Sequence, residues 1–599
     1  MNRYKLLEQY FGYKSFRPLQ EKIITNILDG KDVLMILPTG GGKSLCYQLP
    51  SLIMSGITVV ISPLLALMHD QVMALRANGI TAEMLTSMQN QEESYQIEER
   101  VANGDVKFLY ISPERLLHRY FLEFLHKLHI NFFTIDEAHC VSIWGHEFRE
   151  TYRKLHILKD EFPTTPISAF TATATTMVKE DIVKQLQLNK PTLVRGTIFR
   201  NNLTIRIENR AGDGKRELLE FLKSYRDSAG IVYTLSRKSA ESVALFLQNK
   251  GIKADYYHAK MNREDKERVY GDFVSDNINV VVATIAFGMG IDKSNIRFVV
   301  HLTIPKSIEN FYQEIGRAGR DGLPAETLLL YSTEDINRQK LFIDDLPDTP
   351  YKENAYNKLD SMIRFARSEE CRHKSIALYF EDRIEKCQDR CDNCTNPKIK
   401  MIDITTLSQK LLSAIFRTGQ RFGVAYAIDV LMGSRDKRII DNGHNDLSVY
   451  GIGEELTKPQ WLTVGDRLLE LEALKMDAFK LYSITELGVA ILKNKERVEL
   501  REDRLKVRRG GKRRDGVKSS SRFDNGTFLK LKEIRTFIAK VNNIPPYMVF
   551  SDRTLMELST FKPRSREQML LIHGIGEIKF ERYGKDFLEY LNIMNRINR

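Results

Sequence analysis

At 599 residues the chain is several domains long, at the usual ~100 to 200 residues per domain, and 42% apolar residues suit ordinary packed cores. The net charge of +12 favours a polyanionic partner only modestly, since a merely soluble basic protein would share it. No apolar run approaches the ~20 residues of a membrane span and the N-terminus lacks a signal-peptide pattern, so we expect a cytosolic protein with no membrane partner. Of six cysteines four fall between Cys371 and Cys394, which is unlike a disulfide framework spread through a secreted fold.

Along the chain, the apolar run Val33 to Leu37 predicts a buried strand, followed by Pro38-Thr39-Gly40-Gly41-Gly42-Lys43-Ser44 and then a helix. Glycines at a strand-to-helix turn let backbone N–H groups curl toward phosphate oxygens, and the helix adds its positive N-terminal end. The string therefore predicts a phosphate-binding loop, with Lys43 on the β and γ phosphates of ATP and Ser44 on Mg²⁺. Leu37 stands where the strict signature has its first glycine. About a hundred residues on, Phe132-Phe133-Thr134-Ile135 runs into Asp136-Glu137-Ala138-His139, an apolar strand ending in two carboxylates. Asp136 is the candidate Mg²⁺ ligand, and Glu137 is the candidate to polarise the attacking water.

Short β-branched runs continue to about Ser332, at Thr58-Val59-Val60-Ile61, Lys107 to Ile111, Ile231 to Tyr233, Val280 to Val282 and Phe298 to Val300, alternating with amphipathic stretches. This predicts α/β structure with parallel sheets, in two similar lobes separated by a loosened polar stretch at Phe199 to Asp213. In the second lobe Arg317 and Arg320 are spaced to share one face of a helix, where forked permanent charges suit developing γ-phosphate charge. Beyond Pro350 strands give way to helical periodicity and to Cys371, Cys387, Cys391 and Cys394. Four close thiolates suit tetrahedral Zn²⁺ or an iron–sulfur cluster. Residues 401 to 500 mix short helices with turns, and Asn442-Gly443 suits a hairpin. Residues 501 to 522 carry ten Lys or Arg against three acidic residues and read as a basic linker; the remainder is a compact helical domain.

In this order, with Thr171-Ala172-Thr173-Ala174, these strings resemble the motifs of superfamily 2 helicases, and most closely the RecQ family. Tyr10 to Glu21 is similar to that family's N-terminal motif, placing Tyr13, Arg17 and Gln20 at adenine and phosphate, alongside Thr39, Gly40, Gly41, Gly42, Lys43 and Ser44. Cys140 to Arg149 is similar to its aromatic-rich loop; Trp144 and Phe148 offer stacking faces worth ~1 to 3 kcal/mol per base. Glu147 and Glu150 stand where the family has Asp and Pro. The resemblance favours structural Zn²⁺ at the four cysteines, a winged-helix domain around Gln420 to Gly453 that holds duplex DNA, and a terminal HRDC bundle containing Pro545-Pro546-Tyr547 and Gly574-Ile575-Gly576.

The implied fold is α/β, with two RecA-like parallel-sheet lobes at 1–205 and 206–342, a zinc-binding helical subdomain at 343–400, a winged-helix domain at 401–505, a basic linker at 506–525 and an HRDC domain at 526–599. The implied activity is ATP-driven, Mg²⁺-dependent 3'–5' translocation on single-stranded DNA with duplex unwinding, in repair and recombination. Ser62, Arg149, Ser236, Arg237 and Thr284 join Trp144 and Phe148 as expected DNA contacts; Lys43, Asp136, Glu137, Arg317 and Arg320 are the expected catalytic set. The expected partners are single-stranded and duplex DNA and a single-strand DNA-binding protein, with the protein a nucleoid-associated monomer. A non-unwinding translocase, an RNA helicase and an ATP-switched DNA-binding scaffold are the rival readings.

Overall fold

In the computed structural model, which describes residues 2–86, 89–145, 148–210, 212–284, 287, 293–347, 349–395, 400–471, 473–476, 482–505 and 524–597, the apolar runs form two parallel sheets. The first sheet holds β1 (Val33–Ile36), β2 (Ile57–Ile61), β3 (Ala82–Leu85), β4 (Phe108–Ile111), β5 (Ile130–Ile135), β6 (Ile167–Thr171) and β7 (Thr192–Arg195). Their order across the sheet is β3-β4-β2-β5-β6-β1-β7, and every pairing is parallel. β1 and β2 are buried along their whole length, because helices cover both faces of the sheet; that is why they read as unbroken apolar runs. All strands point the same way, so the C-terminal ends of β1, β5 and β6 open onto one edge, where Lys43, Asp136 and Thr171-Ala172-Thr173 meet.

The second sheet orders β8 (Leu203–Asn209), β9 (Ala229–Tyr233), β10 (Ala254–Tyr257), β11 (Val280–Ala283), β12 (Ile296–His301) and β13 (Ala325–Tyr331) as β10-β11-β9-β12-β13-β8, again parallel throughout. Two expectations are corrected here. The polar stretch after Phe199 is not loose: β8 pairs along its length with β13, and Leu203, Ile205 and Ile207 alternate into the core while polar residues between them face outward. The second lobe therefore begins ahead of Leu203 rather than at 206.

The zinc-binding region packs into the second lobe's core: Cys371, Cys387 and Cys391 share one cluster with Ile205 and Tyr312, and Ile205 N–H donates to Arg390 O at 3.0 Å. The C-terminal helical domain opens with the helix Asn525–Val541, whose cap Asp524 accepts from the Thr527 N–H, and belongs to the same compact unit as both lobes. Residues 395–518 form a second unit. There Trp461 is fully buried and donates to Gly453 O at 2.8 Å, and Leu474–Met476 pairs antiparallel with Tyr482–Ile484. Asn442-Gly443 is not a hairpin turn. It terminates the helix Lys437–Asp441, with Gly443 at φ 68°, because a left-handed glycine serves a helix end as well as a tight turn. The basic linker lies outside the described residues as far as 523.

Candidate nucleotide and nucleic-acid site

The loop after β1 is built as its glycines require: Gly40 and Gly42 sit at φ 78° and 80°, and Lys43 opens the helix Lys43–Ile53 with Ser44 in its first turn. Leu37, in place of a glycine, is buried and packs on Gly196, where a Cβ would come within 2.3 Å of it; it anchors the loop rather than lining it. Arg17 donates to Gly40 O, and Gln20 donates to Gly42 O at 3.1 Å while accepting from the Arg17 N–H at 2.8 Å. The N-terminal motif thus grips the loop's own carbonyls. Gly42 is favoured by its φ of 80°, and a Cβ there would meet Gln20 Nε2 at 2.4 Å and push that amide off the loop.

At the end of β5, burial raises the Asp136 carboxyl to about 6; repulsion from Glu137 adds to this, and Lys43 opposes it. Hard oxygen donors at Asp136 and Ser44 beside a lysine fit Mg²⁺ carried with a triphosphate. Glu137 occupies the left-handed region at φ 47°, an uncommon conformation for a side-chain-bearing residue and one concentrated at active sites. Its Oε2 lies 3.3 Å from His139 Nδ1, which is also 3.0 Å from Thr171 Oγ1, and Thr171 donates to Thr173 O at 3.1 Å. His139, assigned no role from the sequence, therefore links the water-polarising candidate to the Thr171-Ala172-Thr173 string.

The segment carrying Arg317 and Arg320 reaches the loop, but it is not a helix. The helix Ile308–Ile315 stops at Gly316, and both arginines lie on the turn that follows, with Gly319 at φ 62°. Thr39 Oγ1 donates to Gly316 O at 2.9 Å, and a Cβ on Gly40 would lie 3.5 Å from Arg320 Cα, so the arginine turn of one lobe rests on the phosphate loop of the other.

Of the expected DNA contacts, Trp144 is half-buried against the first lobe's core, and Lys358 Nζ donates to its carbonyl at 2.9 Å and to Gly145 O at 3.2 Å while pairing with Glu309 at 3.2 Å. Phe148 is exposed. Arg149 donates to Pro63 O at 2.7 Å, which ties the aromatic loop to the Ser62-Pro63-Leu64 segment. Ser62 itself is buried and its hydroxyl has no partner among the described residues. Ser236 caps the helix Arg237–Gln248, exposed together with Arg237, and Thr284 is half-buried beyond β11. His146 and Glu147 lie outside the described residues.

The ligand atoms of Cys371, Cys387, Cys391 and Cys394 all lie within 4.8 Å of one another. Zinc–sulfur bonds of ~2.3 Å in a tetrahedron put sulfurs about 3.8 Å apart, so the four fit Zn²⁺ and leave no open position. Hydrogen bonds from Cys387 and Cys391 hold the Cys371 thiol far below the usual thiol range, which favours a thiolate there.

The terminal domain supplies a neighbour that sequence reasoning missed. Gly574 N–H donates to Gly12 O at 3.2 Å, and the Tyr13 ring lies 5.0 Å from the His573 ring. Arg582 donates to Arg76 O at 2.7 Å, and Lys293 of the second lobe lies 6.0 Å from the Tyr547 ring, so Tyr547 packs on protein. Only the small residues Gly12, Gly574 and Gly576 signal this docking.

A phosphate loop on one parallel-sheet lobe, met by the arginine-bearing turn of a second, is the arrangement of a two-lobed nucleoside triphosphatase. The sequence matches the descriptions DEAD/DEAH box helicase over 17–181, helicase conserved C-terminal domain over 214–322, RecQ zinc-binding over 333–395, RQC domain over 398–509 and HRDC domain over 524–591. It is 42% identical to the ATP-dependent DNA helicase RecQ of Haemophilus influenzae over 97% of this chain and 94% of that one. It is 39% identical to the ATP-dependent DNA helicase RecQ of Bacillus subtilis over 99% and 98% of the two chains. The chain belongs to the RecQ family and has its ATP, Mg²⁺ and Zn²⁺ sites.

Proposed function

We propose that this protein is an ATP-hydrolysing DNA helicase that moves 3'–5' on single-stranded DNA and separates duplex DNA in repair and recombination. The observation that carries the reading is the Thr39–Gly316 hydrogen bond, because it makes the phosphate loop and the arginine turn parts of one site that opens when the lobes part. Lys43 and the loop amides hold the β and γ phosphates, Ser44 and Asp136 hold Mg²⁺, and Glu137 takes the proton of the attacking water. Arg317 and Arg320 neutralise charge that develops on the transferred phosphoryl group. Mg²⁺ supplies further charge neutralisation at the phosphates when bound.

His139 offers a path from Glu137 to Thr171-Ala172-Thr173, and Lys358 connects the aromatic loop to Glu309 of the second lobe. Strand occupancy at Trp144, Phe148, Arg149, Ser236, Arg237 and Thr284 is thereby coupled to hydrolysis, and each cycle advances the strand. Ser62 contributes through its position at the end of β2. The residues 401–505 hold duplex DNA, and a single-strand DNA-binding protein is a candidate partner of a nucleoid-associated monomer.

Unwinding of a duplex with a 3' tail against one with a 5' tail, with ATP and Mg²⁺, tests this using wild type and Glu137→Gln. Separation of the 3'-tailed duplex alone, lost in the variant, is expected. DNA-stimulated hydrolysis without separation would replace the reading with a translocase, and absence of hydrolysis would replace it with a scaffold.

A further inference from the structure

Arg200 lies in the segment joining the two lobes, between β7 and β8, and no sequence pattern distinguishes it. Its side chain is buried, and its guanidinium donates from Nη1 to Gly316 O at 2.8 Å and from Nη2 to Ala318 O and Gly319 O, each at 2.8 Å. These carbonyls bracket Arg317 and immediately precede Arg320. All three residues are buried, and the carbonyls need donors there because the helix Ile308–Ile315 ends at Gly316 and the turn that follows continues no helical ladder. No carboxylate lies within ion-pair distance of Arg200 among the described residues, so its direct partners are these backbone oxygens. Burial lowers its pKa to about 10, and it remains charged at neutral pH. Asn202, two residues on, donates to Gly319 O at 2.8 Å and Leu323 O at 2.9 Å, a second clamp from the same connector. Gly316 O also takes the Thr39 hydroxyl, so phosphate loop, connector and arginine turn meet at one oxygen.

We propose that Arg200 is a positioning residue for ATP hydrolysis, holding the Gly316–Gly319 turn so that Arg317 and Arg320 face the phosphate loop. Because it is carried by the interlobe connector, finger placement follows the hinge geometry, and the arginines are aimed only when the lobes are correctly disposed. A fork is needed rather than a charge: three carbonyls in fixed directions match a planar guanidinium, and a lysine ammonium cannot satisfy all three. The inference rests on the reading of Arg317 and Arg320 as the groups that meet the phosphoryl charge.

The test compares Arg200→Lys, Asn202→Ala, Arg317→Ala, Arg320→Ala and Arg200→Lys/Arg320→Ala in the full chain, by DNA-stimulated ATPase kinetics and by binding of ADP with and without aluminium fluoride. Arg200→Lys is expected to lower kcat about tenfold or more with KM changed less than about threefold, and to weaken the ADP–aluminium fluoride complex while ADP alone binds as in wild type. Asn202→Ala is expected to do the same to a smaller degree, and it decides the matter if Arg200→Lys melts early. The double variant is expected to lose less than the product of the two single losses, since the part of Arg200's effect that runs through Arg320 is already gone in Arg320→Ala. A wild-type kcat for both Arg200→Lys and Asn202→Ala beside impaired Arg317→Ala and Arg320→Ala would overturn the positioning role and leave the fingers standing. Wild-type kcat in both finger variants would overturn the finger assignment and the positioning role with it. Additive losses in the double variant, or parallel loss of ADP binding, would show that Arg200 acts otherwise and overturn the proposal.

Discussion

The Gly316 carbonyl oxygen accepts two hydrogen bonds, one from Thr39 Oγ1 in the phosphate loop at 2.9 Å and one from Arg200 Nη1 in the interlobe connector at 2.8 Å. Both lone pairs of one atom are thus committed to groups from outside its own turn. Thr39→Val keeps the side-chain shape and removes one donor. At ~0.5 to 1.5 kcal/mol for a net hydrogen bond, kcat is expected to fall roughly 2- to 12-fold with single-stranded DNA affinity unchanged. An unchanged kcat would mean that the contact is absent from the state that hydrolyses ATP.

Lys43→Ala should reduce ATP hydrolysis at least ~10²-fold, the usual cost of removing a charge-stabilising group. Single-stranded DNA affinity, read by fluorescence anisotropy, should stay within about twofold, because the loop lysine is expected to serve phosphate rather than DNA. Equal loss of both would indicate misfolding or a misassigned loop.

Zinc removal is expected to destabilise the second lobe first. Cys371, Cys387 and Cys391 are part of its core, and Arg390 O holds the backbone of β8 at Ile205. Cys391→Ser should lose bound zinc by metal analysis and lower the Tm of that lobe, while nucleotide still binds the first lobe through Lys43 and Gln20. Retained zinc with four-coordinate geometry in the variant would exclude Cys391 as a ligand.

Gly12→Val should release the terminal domain. A Cβ at Gly12 would come within 2.8 Å of Gly574 C and Ile575 C and 2.7 Å of Gly576 N, and the position has φ 69°. Backbone on both sides cannot yield, so limited proteolysis that frees the terminal helical domain should become faster in the variant, with that domain itself intact. An unaltered digestion pattern would mean that the docking does not persist in solution.

Burial lowers Lys579 to about 8, with Met548 O as its hydrogen-bond acceptor at 2.9 Å. Below pH 8 both folded and unfolded chains carry the proton and the burial cost is fully present. Between pH 8 and the ordinary lysine range the unfolded chain binds more protons, so stability rises with pH. Lys579→Met should therefore raise the Tm of the terminal domain at pH 7.5, and this gain should shrink toward pH 10. A gain that does not vary with pH would show that the lysine is solvated in the folded domain.

Lys43, Ser44, Asp136 and Glu137 were legible because each sits where a strand ends, and a strand-to-helix turn is a local event written in consecutive residues. The four cysteines were legible for the same reason, three of them lying within eight residues of one another. β8 was not, since an edge strand alternates polar and apolar residues and its pairing with β13 is more than a hundred residues away. The paired arginines were found by spacing but given the wrong support: Gly316 ends the helix before them, Gly319 turns the chain between them, and the turn is held instead by Arg200 and Thr39. Sequence nominated the candidate groups for chemistry, because chemistry needs particular side chains in short strings. Tertiary structure alone decided what aims them, because a buried carbonyl accepts any donor that reaches it, and reach across 116 or 277 residues has no local signature.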